Sequence, residues 1–377
     1  MKIKHIEAIA VSLPLTKPVK MAGVELRTAD NLIVRMESAD GIVGWGEAAS
    51  APIMTGETIE SMVAAVRHLA PYVVGRAADD FAGASSMMNL WMYGNQAAKA
   101  AIEMAMHDLV GKATQQPVHA LLGGKRRDRV STLWMISGGN AEADAREAQE
   151  LRAAGYVAYK VKVGVNSPEI DAERTRRVCE VLGPGFLISS DANQGWTADE
   201  GERYVRAVAD TLLDFFEQPV RQDDLAGMTR IAAASRVLIC ADEGIHSLDH
   251  IRRHHAAKAA RGVSLKTIKL GGLRGVMEAG QLCAELGMEV NVACKTAESS
   301  IASTAAVHLS AALPTNNWSL NVSSPYLAED LTAQPLAVVR GHVTVPDGPG
   351  LGVVVDEARV RRFQRNIKFQ RYARGRL

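Results

Sequence analysis

The sequence predicts an α/β protein: a (β/α)₈ barrel of the TIM type, preceded by an α+β capping domain. Three observations support this. The chain has 377 residues, which is long for one average domain and fits two domains, or a barrel with an addition. Short apolar strands alternate with amphipathic helices over the later two thirds of the chain. The first 125 residues have a different pattern, in which strands come before helices.

The first 125 residues predict an antiparallel sheet that is followed by helices. Period-two patterns mark three strands, with an Ala-Asp-Gly turn between the second and third. Helical spacing marks two amphipathic helices, and glycines 123–124 then break the pattern. Two irregular segments, residues 16–30 and 50–58, are expected to reach over the barrel as loops that determine specificity. The predicted strands and helices are residues 3–15, 30–41 and 42–48, and residues 57–75 and 95–115.

Residues 126–340 predict the barrel, because eight strand candidates alternate with helical stretches. A doubly wound open sheet is the alternative, but no GxGxxG sequence follows any of these strands. Residues 341–377 have strand and turn character and are expected to return to the capping domain. The eight candidates are residues 132–137, 158–164, 186–193, 212–219, 237–243, 263–269, 288–293 and 318–322.

Composition excludes several classes of partner. Hydrophobic residues make up 47% of the chain and charged residues 23%, as in ordinary globular proteins. The formal charge is +1, so no strong field attracts nucleic acid or an anionic membrane. No apolar run approaches the ~18 residues of a membrane helix, and the N-terminus has no signal-peptide pattern. The four cysteines form no CxxC pair, so we expect free thiols and a cytoplasmic protein.

Charged residues end five consecutive barrel strands. They are separated by 24 to 29 residues, about one βα unit, so each returns at the same height on the next strand. Barrel enzymes place their active sites at this end of the strands. Lys160 and Lys162 are two residues apart and therefore share one face of their strand. The complete set is Lys160 with Lys162, Asp191, Glu217, Asp242 with Glu243, and Lys266.

Three carboxylates on adjacent strands repel one another unless a cation lies between them. Hard oxygen ligands favour Mg²⁺; the alternative is a lattice of ion pairs with the lysines and no metal. A lysine is a weak base at its free pKa of ~10.4, but a neighbouring ammonium group or divalent cation favours its neutral form. A lysine base combined with Mg²⁺ is known from enolase-type sites, where the metal stabilises an enediolate.

The order of these motifs resembles the enolase superfamily. The match is to the mandelate racemase/muconate lactonizing enzyme family and its muconate-lactonizing subgroup, which has a KxK motif. The resemblance covers nearly the whole chain and implies an enolase-like modified barrel with a capping domain. The matching landmarks, in order, are GWGEA (44–48), AAIEMAMHDLVGK (100–112), LLGG (121–124), YKVKVG (159–164), DANQGW (191–196), FEQP (216–219), ADE (241–243), KTIKLGG (266–272) and ESS (298–300).

The resemblance assigns roles to the strand-end residues. Lys162 becomes the acid/base of the KxK motif, and Lys160 its electrostatic tuner. Lys266 becomes the opposing lysine, either a second acid/base or a cation–π partner for the intermediate, because it precedes the Gly-Gly pair by five residues. Lys269 is then either a supporting residue or an exposed charge. The implied ligands of Mg²⁺, or of Mn²⁺, are Asp191, Glu217 and Asp242.

Four further residues are candidates for substrate binding. Asn193 follows the first ligand by two residues and is expected to point into the site. Glu298 matches a family carboxylate beside the substrate, with a loop salt bridge as the alternative. Lys295 would pair with a second substrate carboxylate or be solvated. Trp134 would wall the pocket or pack in the core.

The resemblance implies abstraction of the proton α to the carboxylate of a small substrate, by an isomerase. A cycloisomerase of the muconate type is favoured over a racemase or epimerase of an amino acid derivative and over an acid-sugar or hydroxyproline-type dehydratase. Dipeptide epimerases carry an Asp-x-Asp pair at strand eight, whereas residues 319–323 here read SLNVS. A non-catalytic barrel should have lost a ligand or lysine, and none is lost. The family also implies a homo-oligomer, from dimer to octamer.

Overall fold

The computed structural model describes residues 1–21 and 24–367. It contains a three-stranded antiparallel sheet, an eight-stranded parallel sheet and a two-stranded ribbon. The first sheet and its helices form the cap, and the parallel sheet forms the barrel. Among the described residues, no helix combines the length and apolar character needed to cross a membrane. All four cysteines are buried free thiols, as the sequence predicts.

The cap contains three long strands and the helices that cover them. Helix α3 packs directly on strand β3, because Gly44 and Gly46 of the GWGEA motif have no side chains there. A Cβ atom at Gly46 would lie 2.0 Å from the carbonyl oxygen of Ala101. The elements are β1 (Ile3–Met21), β2 (Val24–Ser38), β3 (Val43–Ala49), α1 (Ile59–Val73), α2 (Phe81–Trp91), α3 (Gln96–Thr114) and α4 (Val118–Leu121).

The prediction of an irregular loop over residues 16–30 is wrong, because this segment continues the β1–β2 hairpin. Val19 pairs with Leu26, and Pro14 pairs with Thr28. The register shifts between Pro14 and Val19, where Pro18 has no N–H to donate to the ladder. Residues 22–23, which the prediction also included, lie outside the described residues.

All eight predicted barrel strands are present, and the barrel prediction is confirmed. The strands pair in parallel in chain order, and a bridge between Thr132 and Leu320 joins the last strand to the first. The strands are β5 (Leu133–Ile136), β6 (Ala158–Lys162), β7 (Leu187–Asp191), β8 (Phe215–Glu217), β9 (Leu238–Ala241), β10 (Gly262–Leu265), β11 (Glu289–Ala293) and β12 (Leu320–Asn321).

Helices separate the barrel strands and form its outer layer. The predicted strand over residues 263–269 ends early, at Leu265, because a short helix that Gly271 closes at a φ of 77° follows Lys266. The helices are α5 (Ala141–Ala153), α6 (Pro168–Leu182), α7 (Ala198–Ala207), α8 (Leu225–Ala234), α9 (Leu248–Ala256), α10 (Thr267–Leu270), α11 (Leu273–Glu285) and α12 (Ser300–Ala312).

The chain closes the base of the barrel and then returns to the cap. Strand β13 (His342–Thr344) pairs with β4 (Arg129–Ser131) in the two-stranded ribbon. After helix α13 (Glu357–Phe363), Gln364 forms a bridge with Val11 of the cap. These contacts agree with the proposed division at residues 1–125, 126–340 and 341–377, which remains a proposal.

An apolar plug fills the lower part of the barrel. Leu133, Ala158, Phe215, Cys240 and Trp318 form one buried cluster. The rings of Phe215 and Trp318 stack with centroids 4.1 Å apart. This packing leaves no room for charged groups at the base, so the charged side chains gather at the carboxyl ends of the strands, beneath the cap.

Glu47 joins the cap to the barrel at the start of helix α12. Its carboxylate accepts hydrogen bonds from Asn31 Nδ2, the Ser299 backbone N–H and hydroxyl, and the Ala302 N–H, at 2.7–3.0 Å. Burial raises the pKa of Glu47 to about 7, whereas donors at a helix N-terminus favour the ionised carboxylate. The contact fixes the segment that precedes α12, which borders the barrel mouth.

We predict that Glu47→Gln destabilises the protein by about 1–3 kcal/mol, because the new amide N–H₂ faces groups that are all donors. Urea unfolding at pH 8, above the Glu47 pKa of about 7, measures this loss. Glu150→Gln, on the exposed face of α5, is the matched control and should change stability by less than about 0.5 kcal/mol. Equal stability of the two variants would contradict the account of this contact.

Candidate active site

A cavity lies at the carboxyl ends of the barrel strands. Ile53 and Met54, from the predicted capping segment 50–58, form part of its wall. The remaining wall carries most of the charged residues that the sequence places at strand ends. They are Lys160, Lys162, Asp191, Glu217, Asp242, Glu243 and Lys266.

Strand register explains why these residues meet. Lys162 pairs with Asp191 across β6 and β7, and Asp191 pairs with Glu217 across β7 and β8. Paired residues on neighbouring strands share one height and one face of the sheet. Asp242 and Lys266 directly follow β9 and β10. The side chains therefore converge as the spacing predicts.

Each of the three predicted ligand carboxylates is paired with at least one lysine. Lys160 Nζ lies 2.5 Å from Glu217 Oε2, and Lys162 Nζ lies 2.6 Å from Asp191 Oδ2. Lys266 Nζ donates to Asp242 Oδ2. These contacts are compatible with both alternatives that the sequence left open, a lattice of ion pairs and a metal site built from the same carboxylates.

Burial and charge pairing act in opposite directions on the pKa values of these groups. Burial alone would raise the pKa of Asp242, but the ammonium groups of Lys266 and Lys269 hold it well below its usual value. Burial would lower the pKa of Lys160, yet Glu217 and Asp191 raise it above the usual lysine value. Lys160 therefore stays positively charged, as expected of an electrostatic tuner.

Glu243 is a site residue to which the sequence assigned no role. It lines the cavity, and its Oε1 accepts a hydrogen bond of 3.2 Å from Asn193 Nδ2. Its buried Oε2 has no partner among the described residues. Burial, together with Asp242 and Asp191, raises the pKa of Glu243 to about 8. The sequence feature that could have identified Glu243 as a site residue is its position directly after Asp242, within the ADE motif.

The donor set fits a hard divalent cation. Four carboxylates face one cavity, and one of their buried oxygens has no partner. Carboxylate oxygens are the ligands that Mg²⁺ prefers. In residues 1–21 and 24–367, no three acidic, histidine or cysteine side chains are already arranged as a ligand set. Metal binding would therefore require the carboxylates to exchange lysine partners for the ion.

The substrate-binding candidates divide into two groups. Asn193 and Lys295 line the cavity, whereas Glu298 and Trp134 do not. Asn193 Oδ1 accepts a hydrogen bond of 2.7 Å from Lys162 Nζ. Glu298 lies behind the wall, where its carboxylate accepts the backbone N–H groups of Ala49 and Lys295. Glu298 thus shapes the loop, and it forms no loop salt bridge among the described residues.

Trp134 faces away from the cavity, so the prediction that it walls the pocket is not supported. Register pairs Trp134 with Tyr159 and Met135 with Lys160. Side chains alternate between the two faces of a strand, so Met135 points inward with Lys160. Met135 lines the cavity, while the Trp134 ring packs against Tyr156 and Tyr326.

Lys269 and Lys295 are both buried. Lys269 is fully buried, and its Nζ donates to Asp242 Oδ1, the Asp242 carbonyl and the Ser264 carbonyl at 2.5–2.9 Å. Of the two roles considered for Lys269, the structure gives the supporting one. Lys295 is only 7% exposed, so the alternative that it is solvated is wrong.

His246 and His308, the histidines that the sequence places near strand-end loops, have structural surroundings. His308 is buried, accepts the His119 N–H and contacts the Leu351 carbonyl. His246 lies outside the cavity, where burial lowers its pKa to about 4. Neither side chain faces the carboxylates from across the cavity, so the acid/base candidates in the cavity are lysines.

Family comparisons agree with this geometry. Residues 5–123 match the N-terminal domain of the mandelate racemase/muconate lactonizing enzyme family, and residues 143–359 match the enolase C-terminal domain-like family. The chain belongs to the mandelate racemase/muconate lactonizing enzyme family. It is 33% identical to a chloromuconate cycloisomerase from Cupriavidus pinatubonensis, over 94% of this chain and 96% of that protein.

Other members of the family have different reactions. The chain is 31% identical to an N-succinyl-L-Arg/Lys racemase from Bacillus cereus, over 95% of this chain and 96% of that one. A muconate lactonizing enzyme from Pseudomonas fluorescens, solved with muconolactone, superposes with a TM-score of 0.92 at 30% identity, covering 97% of this chain and 99% of that one. These relatives are isomerases, so the predicted enzyme class is confirmed while the reaction is left open.

We predict that Lys269→Met destabilises the protein by about 3–5 kcal/mol, because it leaves a buried carboxylate without one of its charge partners. Urea unfolding without added metal measures this loss, with exposed Lys258→Met as the matched control. The depressed pKa of Asp242 stabilises the fold above the unfolded pKa near 3.8. The deficit of Lys269→Met should therefore shrink as the pH falls below that value. A loss no larger than that of Lys258→Met would contradict the supporting role.

Proposed function

We propose that this protein is a Mg²⁺-dependent isomerase that moves a proton at the carbon α to a substrate carboxylate. One observation carries the proposal. Lys162 ends the second barrel strand and Lys266 follows the sixth, so the two approach one cavity from opposite sides of an eight-stranded ring. Between them, Asp191, Glu217 and Asp242 occupy the third, fourth and fifth strand ends. This arrangement supports a pair of acid/base groups on the two faces of a carboxylate bound between them.

Asp191, Glu217 and Asp242 would hold Mg²⁺, or Mn²⁺ in its place. When bound, the ion stabilises the negative charge that develops on the substrate carboxylate as the α-proton leaves. Lys160 adds a fixed positive charge beside Glu217, because its raised pKa keeps it protonated. The carboxylates and Lys160 therefore bind and orient the substrate, and the proton transfer falls to other groups.

Lys162 and Lys266 would carry the proton. A neutral lysine Nζ accepts the α-proton from one face, and an ammonium group on the other side can return a proton to the opposite face. Asn193 Oδ1 and Asp191 Oδ2 both accept from Lys162 Nζ, which fixes its direction in the cavity. General acid–base catalysis by a positioned group contributes about 10²–10⁴-fold to a rate.

We favour cycloisomerisation of an unsaturated dicarboxylate of the muconate type. The chloromuconate cycloisomerase and muconate lactonizing enzyme relatives support this choice. So does strand β12, where Asn321 lines the cavity and no carboxylate is available to bind a substrate ammonium group. Asn321 Nδ2 instead donates to the Leu133 carbonyl. A free amino group would lack its partner on this side of the cavity.

Racemisation of an N-acyl amino acid is the second candidate. It is favoured because Lys162 and Lys266 both line the same cavity, as a two-base reaction requires. The resemblance to an N-succinyl-L-Arg/Lys racemase points the same way. A small carboxylate substrate is common to both reactions. A cytoplasmic location and a homo-oligomer, from dimer to octamer, also remain proposals.

Mg²⁺ should stabilise the protein through the three carboxylates. At a concentration about 100 times its Kd, an ion that binds only the folded state adds about 2.7 kcal/mol to the free energy of unfolding. Thermal unfolding after chelation and Mg²⁺ titration measures this effect. Asp191→Asn and Asp242→Asn should abolish it, whereas Asp223→Asn, an exposed acid outside the cavity, should retain it. A Tm that does not respond to Mg²⁺ would overturn the metal assignment.

Lysine substitutions should separate the two reactions. NMR in D₂O can follow proton exchange at the α-carbon of muconolactone, the lactone formed from cis,cis-muconate, and of N-succinyl amino acids. Lys162→Ala should lower the exchange rate by at least about 10²-fold, because the group that removes the proton is lost. If the protein is a racemase, Lys266→Ala should lower the rate of inversion by the same factor as Lys162→Ala. The control Lys258→Ala, at an exposed position, should leave both rates unchanged. Deuterium incorporation with inversion, without turnover of cis,cis-muconate, would replace the first choice by the second.

A further inference from the structure

Among the side chains that the structure describes, those of residues 1–19 and 26–367, Lys295 is the one lysine of the cavity wall whose ammonium group makes no hydrogen bond or ion pair. Its side chain is 93% buried, being 7% exposed. The other wall lysines each donate to a carboxylate: Lys160 to Glu217, Lys162 to Asp191 and Lys266 to Asp242. A buried charge without a partner is costly. Burial and the neighbouring Lys266 ammonium lower the pKa of Lys295 to about 8, so this charge is present at the edge of the cavity below that pH.

The loop around Lys295 is rigidly held by the cap. Glu298 accepts the N–H of Lys295 at 3.0 Å and the N–H of Ala49 at 3.3 Å. Asn31 Nδ2 donates to the Ala297 carbonyl at 2.9 Å. Both oxygens of Glu298 are thus committed to backbone groups, and its carboxylate is not an ion-pair partner for the Lys295 ammonium. The loop positions this charge without neutralising it.

We propose that Lys295 binds a second carboxylate of the substrate and thereby selects dianionic substrates. This inference rests on the proposed function, since it assumes that the first carboxylate lies at the acidic strand ends. Those ends belong to the third to fifth strands, and Lys295 follows the seventh, β11. A substrate that joins the two must cross the mouth of the barrel. Its carbon chain then passes between Lys162 on the second strand and Lys266 after the sixth.

The surroundings favour a carboxylate over a phosphate. One ammonium group offers a single point of charge, whereas phosphate sites usually combine several donors with a helix N-terminus. The adjacent N-terminus of α12 is already occupied, because Glu47 accepts the Ser299 N–H and Asp330 accepts the Ser300 N–H. Met135 and Met54 supply apolar wall for a short carbon chain.

Calorimetric binding of adipate and hexanoate in the presence of Mg²⁺ tests the proposal. These six-carbon acids differ only in the second carboxylate. We expect the wild type to bind adipate at least about tenfold more tightly, since hydrogen bonds to charged groups contribute about 1.5–3 kcal/mol. Lys295→Met should reduce this preference below about threefold while hexanoate affinity stays within about twofold. Lys258→Met should keep the preference. No preference in the wild type, or an unchanged preference in Lys295→Met, would overturn the proposal.

Thermal unfolding of the ligand-free variants gives a second, independent readout. Replacing an unpartnered buried ammonium by a thioether of similar length should leave the Tm of Lys295→Met equal to or above that of the wild type. A lower Tm would show that the ammonium has a structural partner and would contradict the proposal. Adipate binding requires no turnover. A protein that prefers adipate through Lys295 but exchanges no α-proton would therefore refute the proposed function and leave this inference standing.

Discussion

The structure depends on the burial of many charged side chains, of both signs, at one end of the barrel. Four carboxylates and four lysine ammonium groups line a single cavity, and each of them would be too costly to bury in isolation. They are tolerated because each carboxylate of the predicted ligand set pairs with a lysine from another strand. The apolar plug below and the cap above hold this arrangement in place. Removing single members should therefore affect both stability and function.

The same lattice is compatible with the proposal that one site holds a metal and moves a proton. The lysine ammonium groups lower the pKa values of Asp191 and Asp242 despite their burial, whereas burial raises the pKa of Glu217 although Lys160 pairs with it. The two ionised aspartates are ready to accept a cation. Lys160 pairs with Glu217 in the middle of the acidic strand ends, whereas Lys162 and Lys266 face the cavity from opposite sides. The different roles proposed for the lysines follow from the carboxylate that each one contacts.

The barrel and the convergent charges were predictable because they depend on local repetition. One βα unit has a nearly constant length, so charges spaced by 24 to 29 residues must return to the same height. The inward direction of Met135 instead of Trp134 was not predictable, because it depends on the register with Lys160. The buried state of Lys295 depends on Asn31, Glu47 and Ala49, more than 240 residues away in the sequence. The pattern of strands in the sequence does not indicate such contacts.

A crystal structure with Mg²⁺ and a bound dicarboxylate tests the central claim most directly. The account predicts an ion held by Asp191, Glu217 and Asp242, with the substrate α-carbon between the Nζ atoms of Lys162 and Lys266. An ion bound elsewhere would contradict the account. So would a substrate that leaves both lysines on the same side of its α-carbon.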